Sequence, residues 1–263
     1  MAALPTVFVP HGAPTFALDP GPAGAAMTAL AGRMGRPKAI LVISAHWDTE
    51  RPTVGVALHP ETIHDYWGFP EPLYSMRYPA PGSAALATDV RALLEGAGFE
   101  AELDVARGLD HGAWIPLRLM YPGADVPVVP LSIQSHLGPE HHFRLGQALA
   151  PLREQGILVL ASGNITHNLR DFQRLALRGA KPPGYVQEFP AWIWERLEQG
   201  DVAALLRYRD TAPGAREAHP TDDHLLPLYV VLGAARSGYR AERCFSEVYD
   251  KMLAMDSYAF WPA

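Results

Sequence analysis

The sequence predicts an α/β fold: a single domain with a central, mostly parallel or mixed sheet flanked by helices and a site at the carboxyl ends of the strands. Three observations carry this expectation. Residues 6–9, 39–44, 126–133 and 157–161 are short aliphatic runs without polar alternation, as in strands buried on both faces. Helical stretches separate them. Histidines stand just past, or beside, several of the runs, where ligands gather in open α/β sheets.

In chain order, residues 6–9 open as a buried strand. Residues 22–34, rich in alanine, leucine and methionine, read as a crossover helix that Gly35 and Pro37 end. After the strand at 39–44, residues 52–58 are a candidate strand, and 62–81 form a long loop rich in proline and aromatic residues. Ser83 is placed to cap a helix through Leu94, closed by Gly96 and Gly98. Residues 99–103 are a weaker strand and 113–120 a short helix. Within the strand at 126–133, Pro130 predicts a break or bulge. Residues 139–154 have a proline near a helix start and Gly156 just past its end. The strand at 157–161 follows. Residues 190–206 are helical with a break near Gly200, residues 225–235 are an apolar helix, and 243–260 close the chain as one or two strands. There is no repeat, low-complexity segment or clear linker. The expectation is therefore one domain over 1–263, layered helix–sheet–helix.

Composition excludes several classes. With 48% apolar and 19% charged residues over 263 positions, the chain is globular and long enough for an ample core. Its net charge of −6 and lack of a basic stripe argue against nucleic-acid binding. The single cysteine, Cys244, has no intramolecular partner, which fits a reducing compartment. Met1-Ala-Ala-Leu-Pro has no basic n-region, and no uncharged apolar run is long enough to span a bilayer. A soluble cytoplasmic protein without a membrane partner is expected.

The histidines carry the chemistry. Neutral imidazole is the commonest metal ligand among side chains and a proton shuttle near neutral pH. His11 and Gly12 end the first strand, and Gly12 lets the chain turn with its backbone close to a bound group. His46 follows the second run and precedes Trp47, whose indole is expected to wall a pocket for a planar ligand. His167 lies in Ser162-Gly-Asn-Ile-Thr-His-Asn, a tight loop expected to leave backbone N–H groups exposed. His224 stands near a helix start delayed by Pro227, with Asp222 and Asp223 either favouring the helix N-terminus or acting as ligands or hydrogen-bond acceptors. His111 is a fifth candidate, with adjacent Asp110 not necessarily its partner. His64 belongs to the loop expected over the site mouth, whereas His141 and His142 fall on a helix face expected to be solvated. His59, His136 and His219 are weaker candidates.

Other chemistries lack their signatures. No H-E-x-x-H, C-x-x-C, G-x-S-x-G or G-x-x-x-x-G-K-[ST] is present. Histidine ligands without thiolates suit iron, zinc, copper or nickel, so ligand type alone leaves the metal open.

The segments Pro10-His-Gly-Ala-Pro, Ser44-Ala-His-Trp, Thr62-Ile-His-Asp-Tyr-Trp-Gly-Phe-Pro, Tyr78-Pro-Ala-Pro-Gly-Ser, Leu109-Asp-His-Gly-Ala-Trp, Ala161-Ser-Gly-Asn-Ile-Thr-His-Asn-Leu and Asp223-His-Leu-Leu-Pro-Leu resemble the LigB-type class III extradiol ring-cleavage dioxygenases. The nearest branch is the 4,5-DOPA extradiol dioxygenase group. The blocks run in register from about residue 6 to 235, which is more specific than any one motif.

The resemblance implies that His11, His46 and His224 are metal ligands, that His167 is an acid/base group or a further metal ligand, and that His111 is a second pocket histidine that helps bind or activate oxygen and substrate. Trp47 and His64 are expected to contact substrate. One departure is Asp222-Asp223-His224, where an acidic residue, often glutamate, is expected before the histidine. If His224 binds, the site is all-histidine; if Asp223 binds instead, the two-histidine, one-carboxylate arrangement returns. His224 is favoured. The implied activity is opening of a catechol such as L-DOPA by O2 to a muconic semialdehyde-type product, with Fe(II) expected for activity. Zn(II) fits the same ligands but lacks the redox chemistry. The rival readings are a zinc-dependent hydrolase and a non-catalytic metal-binding scaffold on the same fold.

Overall fold

Strands buried on both faces need helices on both faces, and the architecture follows from that requirement. The computed structural model describes residues 3–178 and 181–263. Among the described residues ten strands run in chain order: β1 (Thr6–Pro10), β2 (Ala39–Asp48), β3 (Thr53–Gly55), β4 (Glu102–Asp104), β5 (Val128–Ile133), β6 (Ile157–Gly163), β7 (Arg240–Phe245), β8 (Val248–Tyr249), β9 (Leu253–Ala254) and β10 (Ser257–Trp261). Eight form a mixed sheet in the order β4-β3-β5-β2-β6-β1-β10-β7, and β8 and β9 form a separate hairpin.

Side-chain alternation sorts the core into two layers. Phe8, Leu41, Ile43, Val159 and Ala161 face the helices Ala84–Gly96, Gly138–Leu149, Tyr185–Gln199 and Leu226–Ala235. Val7, Val9, Ile40, Val42, Leu158 and Leu160 face Gly21–Met34 and His111–Met120. Each Val, Leu, Ile or Phe side chain among them taken fully from water contributes roughly 1.5–3 kcal/mol. Every residue of Leu226–Ala235 is buried. It crosses Gly138–Leu149 with backbones nearly touching: a Cβ on Gly146 would stand 2.0 Å from the Val230 carbonyl, and one on Gly233 2.0 Å from that of Phe143.

The structure changes several sequence expectations. Pro130 makes neither break nor bulge, since it pairs in register with Val42. Parallel ladders take their donors from alternate residues, and the Ile40 N–H to Pro127 carbonyl bond sets the phase that turns the Pro130 nitrogen toward β3. There β5 has a single registered pair, Val54 with Leu131, so the missing donor costs little. The irregularity falls instead between Ile43 and Asp48, where β2 continues past its expected end. The helix expected from Pro190 starts at Tyr185, and the chain end holds four strands. His142 is not solvated but fully buried: its Nδ1 donates to the Gly138 carbonyl at 2.6 Å, and its Nε2 accepts the Gln134 backbone N–H at 3.1 Å. Among the described residues no helix is long and apolar enough to cross a membrane.

Candidate active site

β1, β2 and β6 lie side by side and parallel in the sheet, so their carboxyl ends share one edge. His11 leaves β1 there, followed by Gly12, whose φ of +60° turns the backbone along the cavity wall. His46 lies within the last residues of β2, and His167 follows β6. Two helix starts complete the group: His111 begins His111–Met120, and His224 precedes Leu226–Ala235. The sequence-predicted five are thus brought together.

The Nε2 atoms of His11 and His46 face each other at 3.0 Å. The His224 ring centroid is 5.1 Å from that of His11 and 4.9 Å from that of His46, and His111 lies 5.3 and 4.0 Å from the same two. The ligand atoms of His11, His46 and His111 fall within 4.8 Å of one another, as do those of His167, Asp223 and His224.

Outward-facing nitrogens are held by other side chains. His11 Nδ1 is hydrogen-bonded to Ser162 Oγ at 2.8 Å, His224 Nδ1 donates to Asp223, and His111 Nδ1 donates to Asp65 at 2.9 Å. Asp65 also accepts the His111 backbone N–H at 2.9 Å and lies 3.8 Å from His46 Nδ1. An ionised carboxylate only accepts, so the rings of His111 and His224 carry their proton on Nδ1 and leave Nε2 free. Asp110 is not the His111 partner. It caps the helix through the Ala113 N–H at 3.1 Å, accepts from Ser44 Oγ and pairs with Arg107.

Burial keeps the ligand set neutral. Burial first, then the neighbouring histidines, holds His11 and His224 well below the ordinary imidazole value and brings His46 to about 4. His167 is lowered by the same burial. For Asp65 burial works upward, but the hydrogen bonds from His111 outweigh it and bring the carboxyl to about 2. Neutral imidazoles at pH 7 offer lone pairs without first losing a proton.

This donor set fits a metal ion. Two lone pairs opposed at 3.0 Å repel unless a cation or proton lies between them, and two ligands at right angles on bonds of about 2.1 Å stand about 3 Å apart. His167 is placed differently: its ring stacks on His224 with centroids 3.5 Å apart and planes within 7° of parallel, so the in-plane lone pairs of the two rings lie in separate layers.

The histidines floor a cavity of about 410 Å³. Tyr66, Phe69, Phe172 and Leu253 wall it, and Trp67, 86% exposed, stands at its rim with Leu169. Trp47 does not wall the pocket. Strand alternation turns it away from His46, and the Arg107 guanidinium covers its ring at 5.0 Å. His64 is likewise turned away, bonded to the Met76 carbonyl at 3.0 Å and packed against Tyr66, Tyr74 and Trp114. Its loop does reach the site, through Asp65, Tyr66, Trp67 and Phe69. Nor are the backbone N–H groups before His167 exposed: those of Asn164, Ile165 and His167 bond to His224, Ala254 and Ala218 carbonyls. Sequence reading missed Asp65 and Ser162 as partners, because each meets its histidine from a distant segment.

The family model for the catalytic LigB subunit of aromatic ring-opening dioxygenase matches residues 24–260. The chain belongs to the LigB family. Across 259 residues it is 42% identical to the protein named 4,5-DOPA dioxygenase extradiol of Beta vulgaris, covering 97% of this chain and 96% of that one. A protein of the same name from Escherichia coli K12 is 41% identical over 235 residues, 88% of this chain and 85% of its own. The crystal structure of an uncharacterized Escherichia coli K12 protein superposes with a TM-score of 0.81 at 34% identity, covering 97% of this chain and 99% of the other. This LigB chain is an extradiol, ring-opening dioxygenase, and its histidine cluster meets the family's need for a metal. His11 lies upstream of the segment that the family model matches.

Proposed function

We propose that this dioxygenase opens a catechol such as L-DOPA, with O2, to a muconic semialdehyde-type product. The observation that carries the reading is the cluster of five histidines, with His11, His111 and His224 anchored through Nδ1, on the floor of an apolar cavity. His11, His46 and His224 would hold Fe(II), with His111 beside them. When bound, Fe(II) supplies Lewis acidity that lowers the phenol pKa and an electron path between catechol and oxygen.

The chain's own residues do the rest. Tyr66, Phe69 and Phe172 offer flat apolar surface to an aromatic ring and exclude water. His167, lowered by burial, is unprotonated at pH 7 and free to take a phenolic proton at a ring nitrogen. His111, its ring fixed by Asp65, presents its other nitrogen to the same space, where it holds or returns a proton as charge develops on oxygen. Asp223 orients His224 through its Nδ1.

Anaerobic Fe(II) reconstitution, followed by oxygen uptake and visible absorbance with L-DOPA and a small catechol panel, tests this. Catechol-dependent uptake with a yellow product, lost in His11→Ala and with Zn(II) in place of iron, is expected. No uptake at full iron occupancy would sink the reading, and oxygen-independent turnover by the zinc form would put hydrolysis ahead.

A further inference from the structure

The charge inventory of the cavity is one-sided. No lysine or arginine is among the described residues that line it, and the charged side chains there are Asp65 and Asp250. Asp65 is committed to His111 through two hydrogen bonds. Asp250 is exposed at the start of the turn between β8 and β9, with φ of +51°, and has no ion pair among the described residues. Aspartate tolerates that left-handed backbone better than most residues.

Asp250 also borders a second cavity of about 490 Å³, lined by Asp19 and Tyr249 as well. The two cavities share Gly12, Ala13, Thr15, Asp250 and Leu253. Asp250 therefore lies on the wall that the histidine-floored cavity shares with its neighbour. The cations adjacent in sequence to lining residues, Lys251 and Arg170, line neither cavity.

We infer that Asp250 selects catechols by the charge of the side arm, favouring a cationic arm over an anionic one, with the arm directed toward the second cavity. The inference rests on the catechol reading above. A solvent-exposed carboxylate acts modestly on one charge, but attraction of one arm and repulsion of the other together give about tenfold between the extremes.

The test uses 3,4-dihydroxyphenyl compounds with three side-arm charges: dopamine (cation), L-DOPA (zwitterion) and 3-(3,4-dihydroxyphenyl)propionate (anion), each normalised to neutral 4-methylcatechol. Binding to the Zn(II)-loaded protein by calorimetry gives a readout without turnover, and kcat/KM with Fe(II) gives a second. Affinity falling from cation to anion by about tenfold at low salt, narrowing as salt screens the exposed charge, is expected. Asp250→Asn should bring the ratio close to one and Asp250→Lys should invert it. An anion bound as well as the cation by the unaltered protein overturns the inference, as does a ratio that Asp250→Asn leaves unmoved. The unaltered protein and its salt dependence decide the matter if either variant fails to fold. Ring opening of 4-methylcatechol without charge discrimination would leave the catechol reading standing. Neither binding nor opening of any catechol would remove both.

Discussion

The imidazoles of His167 and His224 lie face to face, 3.5 Å apart between centroids and within 7° of parallel. Rings stacked in separate layers do not aim their in-plane lone pairs at one point, so the proposed function divides labour between them: His224, held by Asp223, for the metal and His167 for protons. His167→Ala should therefore retain metal and lose about 10²- to 10⁴-fold in kcat, the range for a general acid–base group. His224→Ala should lose the metal itself. Metal content by atomic spectroscopy beside steady-state rates separates the two, and equal metal loss in both variants would contradict the division.

Ser162 is the anchor of His11, and among the described residues nothing else is bonded to that Nδ1. Removing such an outer partner typically weakens metal binding about 10- to 100-fold. Ser162→Ala is expected to do so while leaving the fold intact, because the lost group is one hydroxyl at the end of a fully buried strand. Chelator competition measures the effect. An unchanged affinity would show that His11 is positioned by packing alone.

Gly112 is a spatial requirement. A Cβ there would stand 2.4 Å from Ser44 Oγ and 2.9 Å from His46 Cδ2, inside the contact between helix His111–Met120 and β2. Gly112→Ala should push His46 from its pairing with His11 and lower metal affinity more than it lowers the melting temperature. Gly163→Ala is the contrast: its Cβ would meet the His224 carbonyl at 2.1 Å, backbone that cannot swing aside, and general destabilisation is expected.

The strands of β1, β2, β5 and β6 were legible because a run buried on both faces cannot alternate, and their histidines were legible because the strand ends were. Trp47 shows what a single rule missed: if His46 faces the site, its neighbour on the strand faces away. His64 failed for a different reason, since a loop has no period from which to read a side chain's direction. Asp65 was beyond reach altogether. Its partner is 46 positions away, and only the fold brings His111 to it. His142 misled because a histidine on a helix reads as solvent-facing until a backbone N–H from another segment arrives to claim its nitrogen.

That buried ring makes stability depend on pH. Burial brings His142 down to about 4, against about 6.5 in an unfolded chain. Between these values the unfolded state binds the proton and the folded state does not, so stability rises with pH across that window. The contribution is fully present above the unfolded value and is lost as pH falls from 6.5 toward about 4. From pH 7 to pH 5 this one group should cost about 2 kcal/mol by the same linkage. Urea unfolding of the metal-free protein at the two pH values, beside His142→Gln, isolates the effect. Glutamine can still accept the Gln134 N–H but does not titrate, so the variant should lose less stability on acidification than the unaltered chain. His219, buried and brought to about 3, titrates in the same direction in both proteins and cancels from the difference. Parallel losses in the two proteins would mean that the His142 ring does not remain neutral as the pH falls.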